Sequence, residues 1–130
     1  MNTLDTLGNM ISFTTLIFVL LIHFLADFGL QTHDQATGKS TSDKWLTYHV
    51  GVYSIMWLLA SWFYFDDFRI ALIFSSVTFI CHWITDWLTS RIGKPFWDKQ
   101  DFHNGFVVVG FDQVLHYIQL VGTLLFCSTL

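Results

Sequence analysis

Residues 70–90 read IALIFSSVTFICHWITDWLTS, an apolar window of the length a bilayer-spanning helix needs, about 20 residues. Within it His82 and Asp86 stand four apart. Residues at i and i+4 lie on one helix face, one turn from each other. Ser75, Thr78, Thr85 and Thr89 fall on the same side at helical spacing. An ionisable group in hydrocarbon costs roughly 2.5–3.5 kcal/mol on insertion scales, so a His/Asp stripe here demands a protein partner.

Working outward, three further apolar windows flank this one: about 10–30, 45–65 and 106–126. Of the 130 residues, 53% are hydrophobic, 18% aromatic and 12% charged, with mean hydropathy +0.51. An ordinary soluble domain carries roughly a quarter charged residues, and disorder needs low hydrophobicity. Both classes are excluded. The net charge of −4 provides no basic footprint for nucleic acid. The expected fold is all-α: one transmembrane domain over 1–130, an integral-membrane four-helix bundle with short loops. Cys81 and Cys127 stand alone in apolar runs and read as small hydrophobic side chains.

The connections are polar. Gln31–Lys44 (QTHDQATGKSTSDK) reads as a loop, Asp66-Asp67-Phe68-Arg69 as a tight turn, and Arg91–Asn104, with the single Pro95, as a third loop. Lys39, Lys44, Arg91, Lys94 and Lys99 lie in loops one and three, against Arg69 alone on the opposite side. The excess of Lys and Arg marks the cytoplasmic face, so both termini are expected on the non-cytoplasmic side of a bacterial inner membrane, crossed several times. No Lys or Arg precedes Lys39, so the start reads as a membrane segment and not as a secretory signal with its basic n-region. Trp45, Trp57, Trp62, Trp83, Trp87 and Trp97 read mostly as interfacial or lipid-facing residues.

The i,i+4 pairing recurs. His23/Asp27 and His82/Asp86 share it, Asp112/His116 reverses it, and His49 opens the second span. With helix direction alternating, all seven fall at one depth, in the cytoplasmic half. Four imidazoles and three carboxylates from four helices match the nitrogen and oxygen ligands of a divalent transition metal, zinc foremost, with iron or manganese as alternatives. Helical bundles build two-metal sites from facing helices in this way. Gln31 and Gln113 are candidates to orient ligands or substrate, since each can donate and accept. Lys44 or Arg91 is expected to hold an anionic group. Gly38-Lys39-Ser40-Thr41 mimics the tail of a phosphate-binding loop, but His33 stands where that loop requires glycine.

The chemistry that suits such a site is metal-dependent hydrolysis of a lipid-linked or amphipathic (phospho)ester at the bilayer, with an anionic lipid as substrate. Catalytic roles stay unassigned. Competing readings are metal-ion or proton transport, a metal-free network of Asp–His hydrogen bonds, a haem-binding bundle, and a non-enzymatic phage-type membrane protein. A chain this small also suits self-association.

His23-Phe-Leu-Ala-Asp27-Phe-Gly-Leu-Gln31 resembles the HxxxDFxxQ start of a family of small bacterial and phage membrane proteins, the domain of unknown function 3307. Lys39 and Lys44, Leu46 and His49, Tyr53, His82-x-x-x-Asp86 and Phe111-Asp112-Gln113-x-x-His116 continue the likeness over nearly the whole chain. The resemblance implies a compact helical membrane domain with those polar residues at its centre, and it implies no activity. A looser likeness to membrane-bound metal-dependent hydrolases rests on His and Asp motifs within helices.

Overall fold

The computed structural model describes residues 11–130 and is all-helical, with no strand among them. Helix α1 spans Phe13–Phe24 and runs on through a π turn, Leu25–Gly29. A short α2 follows at His33–Gly38, then α3 at Asp43–Phe65, α4 at Phe68–Asp98 and α5 at Phe102–Cys127. Antiparallel α3 and α4 pack together, α4 packs on α5, and α1 with its π turn touches α3 and α5. The expected first span begins at residue 10, which lies outside the described residues.

Local chemistry sets the boundaries. Ser12, Ser42, Asp67 and Asp101 each accept a backbone N–H with a side-chain oxygen at a helix start, satisfying donors that have no partner within the helix. The turn between α3 and α4 shrinks to Asp66-Asp67, with Asp66 in the left-handed region at φ 53°. A two-residue connection forces antiparallel neighbours, as the spacing implies.

Two loops differ from expectation. The first contains α2, because Thr32 and Gln35 form a reciprocal capping box in which each side chain takes the other's backbone N–H. The third contracts to Lys99–Asp101, because α4 continues through Pro95 to Asp98. Proline forfeits one hydrogen bond, to the carbonyl of Arg91. Against that loss, Lys94 pairs with Asp98 one turn on at 2.5 Å. Trp97 also lies flat over Gly105 on α5, where a Cβ would come within 2.9 Å of the indole. The α4–α5 hairpin therefore projects beyond the apolar window.

The interior is inverted relative to a water-soluble protein. Buried residues include fourteen polar or charged side chains against twelve apolar ones, while Phe13, Phe63, Ile118 and many other large apolar residues face outward. Apolar packing concentrates towards the Asp66 end, where Trp57 meets Phe74 with ring centroids 5.3 Å apart beside Val19, Leu120 and Leu124. Trp57 is thus a core residue and not an interfacial one. It extends the buried line of Leu46, His49, Val50 and Tyr53 along α3. Among the described residues two helices, α4 and α5, and not the four expected, are long and apolar enough to cross a membrane, and Phe13–Gly29 is a shorter apolar segment.

Candidate metal centre

The polar end of this interior holds all seven expected residues. His23, Asp27, His49, His82, Asp86, Asp112 and His116 are buried, and they come from α1, the π turn, α3, α4 and α5. His82 and Asp86 sit mid-way along α4 instead of near its end, because the helix continues to Asp98.

Asp27 lies in the π turn, closed by the bond from Leu30 N–H to the carbonyl of Leu25 at 2.8 Å. A π turn takes up an extra residue, and such bulges occur often at functional sites. Asp27 Oδ2 stays 3.6 Å from His23 Nε2, close to the 3.5 Å between His82 Nε2 and Asp86 Oδ1. The carboxylate also reaches across the interface. Asp27 Oδ1 is 3.0 Å from His49 Nε2 and 3.5 Å from His82 Nε2, and Oδ2 accepts from Gln113 Nε2 at 3.0 Å.

Ligand atoms converge in two groups that share this carboxylate. Asp27, His49, His82 and Asp86 form the first, and Asp27, Asp112 and His116 form the second; within each, one ligand atom per residue lies within 4.8 Å of the others. In the first group His49 Nε2 and His82 Nε2 face each other at 3.2 Å. Asp86 adds Oδ2 at 3.4 Å from His49 Nε2 and Oδ1 at 3.5 Å from His82 Nε2. In the second, His116 Nε2 lies 3.2 Å from Asp112 Oδ2, and it is also 3.0 Å from Asp86 Oδ1.

Stacking orients the imidazoles. The His82 ring lies between Tyr53 and His116, with centroids 3.8 and 4.0 Å away. Nδ1 of His82 and of His116 meets no hydrogen-bond partner among the described residues, so ring stacking, not an outer acceptor, holds those two planes. Both nitrogens of His23 are engaged: Nδ1 with the Tyr53 hydroxyl at 2.8 Å and Nε2 with Gln113 Oε1 at 2.7 Å. His23 stands outside both ligand groups and acts as a support for Gln113. Gln31 places Nε2 3.1 Å from His49 Nδ1.

The basic residue at the centre is Lys39, not Lys44 or Arg91. Lys39 follows α2 directly and sets its Nζ 2.8 Å from Asp86 Oδ2. Burial by itself would lower its pKa; the carboxylates of Asp86, Asp27 and Asp112 outweigh that and raise it. Lys44 lies over the Trp45 and Tyr48 rings, while Arg91 pairs with Asp43 and stacks on Trp87. Charge count alone could not rank these three residues. The approach of Gly38 to Trp45, where a Cβ would meet the indole at 2.6 Å, holds the Lys39 segment against α3. Sequence reading also passed over Thr89 as a partner for Asp112, to which it donates at 2.5 Å. It noted Tyr53 only through the resemblance, although Tyr53 stands one turn after His49.

A cavity of about 580 Å³ opens beside the centre. Asp27, Asp112, Gln113 and Lys39 form its polar wall, and Phe28, Trp97, Val108 and Val109 its apolar one. Its volume lies inside the range of roughly 300–1,000 Å³ usual for small-molecule sites.

The chain matches over residues 15–130 the family model described as Protein of unknown function (DUF3307). It belongs to that family. The matched range contains every residue of both ligand groups, so the buried His/Asp centre lies within the DUF3307 region. No curated protein and no solved structure matches the chain.

Proposed function

We propose that this chain is an integral-membrane metalloprotein whose His/Asp centre hydrolyses a lipid-linked or amphipathic ester, a phosphoester above all. One observation carries the metal reading. Asp27 Oδ1, His49 Nε2 and His82 Nε2 lie 3.0, 3.2 and 3.5 Å from one another, and Asp86 adds Oδ2 3.4 Å from His49 or Oδ1 3.5 Å from His82. Four ligands at zinc-like bond lengths of about 2.0–2.1 Å in a tetrahedron are separated by about 3.3 Å. Three donors are thus spaced as ligands of one ion would be, with a fourth, Asp86, beside them and all four within 4.8 Å of one another. Zinc is the proposed ion, since N/O donors and near-tetrahedral spacing suit it; iron or manganese would use the same donors.

A divalent ion held there supplies Lewis acidity, lowering the pKa of bound water towards about 7 and stabilising charge that develops on oxygen. The two-walled cavity supports an amphipathic substrate: an anionic head beside Lys39 and Gln113, an apolar tail along Phe28, Trp97 and Val108. Its mouth at the α2 side faces a membrane surface in the topology we propose. There α1 to the π turn, α3, α4 and α5 form a four-helix membrane bundle. The side bearing Lys39, Lys44, Arg91, Lys94 and Lys99 is cytoplasmic, and both termini are opposite. The many large apolar residues facing outward support a lipid surround.

The decisive measurement is elemental analysis of protein purified in detergent without chelators, paired with turnover of a chromogenic alkyl phosphodiester in micelles. Wild type is expected to carry transition metal and show chelator-sensitive turnover, and Asp27→Ala neither. Metal-free wild type would leave a hydrogen-bonded Asp–His network as the account. Metal without turnover would retire the hydrolase and keep the metal centre.

A further inference from the structure

The cavity beside the centre has two rims of opposite character. On the α2 side it is bordered by Thr37, Ser40 and Thr41, of which Thr37 and Thr41 are exposed. On the other side its border lies between the π turn and α5. Phe28 lines the cavity there and is also 46% exposed, so its ring belongs both to the lining and to the outer surface. Val109 lines the cavity from α5 and is half-buried. Among the described residues the one hydrogen bond between the π turn and α5 is Gln113 Nε2 to Asp27 Oδ2, at 3.0 Å. Val109 stands one turn from Gln113 on the same face, towards the α4–α5 hairpin, beyond the reach of that bond.

The outer surface that leads to this second rim is apolar. Phe24 and Phe28 face outward and stack, with ring centroids 5.9 Å apart, and Phe106 and Phe111 are exposed on α5. We infer that the rim between the π turn and α5 is a side entrance, through which the hydrocarbon chain of one bilayer lipid enters the cavity while its head lies at the polar wall. This deepens the substrate reading above; it rests on the membrane setting proposed there and does not require hydrolysis.

The two routes differ in what a chain must cross. A chain sliding in past Phe28 and Val109 keeps apolar surroundings throughout. One entering over Thr37 and Thr41 would first bring its methylenes into water, the transfer that the hydrophobic effect opposes. The polar rim suits water and a head group instead. Inside, Val108 faces α4, where a Cβ on Gly93 would come within 3.4 Å of its methyl. Val108 therefore lies behind the rim and reports a chain that has passed it.

The test is photolabelling in phosphatidylglycerol nanodiscs with phosphatidic acid that carries a diazirine close to the ester end of one acyl chain, the adducts being mapped by mass spectrometry. Wild type is expected to be labelled at Val108 and, from the surrounding lipid, at the outward-facing Leu88 of α4. Val109→Trp and Phe28→Trp overfill the rim from its two sides; each should cut the Val108 adduct about tenfold and leave Leu88 unchanged. Thr37→Trp, at the polar rim, should alter neither adduct. Wild type labelled at Leu88 and not at Val108 overturns the inference and leaves the membrane setting standing. A Val108 adduct undiminished in both rim variants, or diminished only in Thr37→Trp, overturns it too. Absence of both adducts sinks the membrane setting and the side entrance with it.

Discussion

Asp27→Asn separates a metal centre from a hydrogen-bonded network. The change keeps the volume and removes one negative charge from the one residue common to both ligand groups. Asp27 now faces His49 Nε2 with one oxygen and accepts from Gln113 with the other. An amide can satisfy only one of those as an acceptor. If its NH₂ meets Gln113, that side chain must turn over and lose Oε1 as the partner of His23 Nε2. A buried polar group left unpaired costs about 1–3 kcal/mol, and the ion-free variant should be weaker than wild type by that amount. The ion-dependent effect is separate. At free zinc about 100 times its Kd, binding stabilises the native state by about 2.7 kcal/mol, or about 10 °C for a chain of this length. Thermal unfolding in detergent, with and without zinc, reads both quantities. Wild type should gain the shift and Asp27→Asn should lose it. An equal zinc-dependent shift in the two proteins would refute the ligand assignment.

Three further outcomes follow from the same geometry. Tyr53→Phe keeps the ring against His82 but strips the hydroxyl from His23 Nδ1, so stability should fall by about 1–3 kcal/mol with zinc content unchanged, because His23 lies outside both ligand groups. Gly105→Ala drives a Cβ to 2.9 Å from the Trp97 indole and should cost about 1–3 kcal/mol in thermal unfolding, with Trp97→Leu restoring most of it. The third concerns acid. A side-chain hydrogen bond from Arg69, joined by the backbone N–H groups of Arg69 and Ile70, holds the Asp67 carboxyl below its ordinary 3.8. A depressed carboxyl stabilises the fold above the unfolded value, and that contribution disappears as pH falls from 3.8 through the folded one. Acid unfolding followed by circular dichroism should therefore be less steep in this window for Asp67→Asn than for wild type.

Both successes and misses of sequence reading have local causes. The i,i+4 spacing of His82/Asp86 and Asp112/His116 survives in regular helix, where one turn separates the pair. His23/Asp27 also stays together, at 3.6 Å, although Asp27 lies in a π turn. A π turn leaves no mark in an apolar pattern. The Thr32/Gln35 capping box was legible as T-x-x-Q but lay inside a stretch whose polarity suggested a loop. Pro95 and the charges around it suggested another, and the helix continues there because a tryptophan finds a glycine on the next helix.

Composition and periodicity were enough to establish an all-helical chain and a set of imidazoles and carboxylates that had to face inward. These are properties of intervals along one strand of peptide, and a helix converts interval into angle by a fixed rule. Which atoms meet was decided only by packing. That His23 turns to Tyr53 and Gln113 while His49 and His82 oppose each other, and that Lys39 outcompetes Lys44 and Arg91 for the carboxylates, depends on the register of four helices and the path of one connection. Register is fixed by contacts distant in sequence, and no interval along the chain records it.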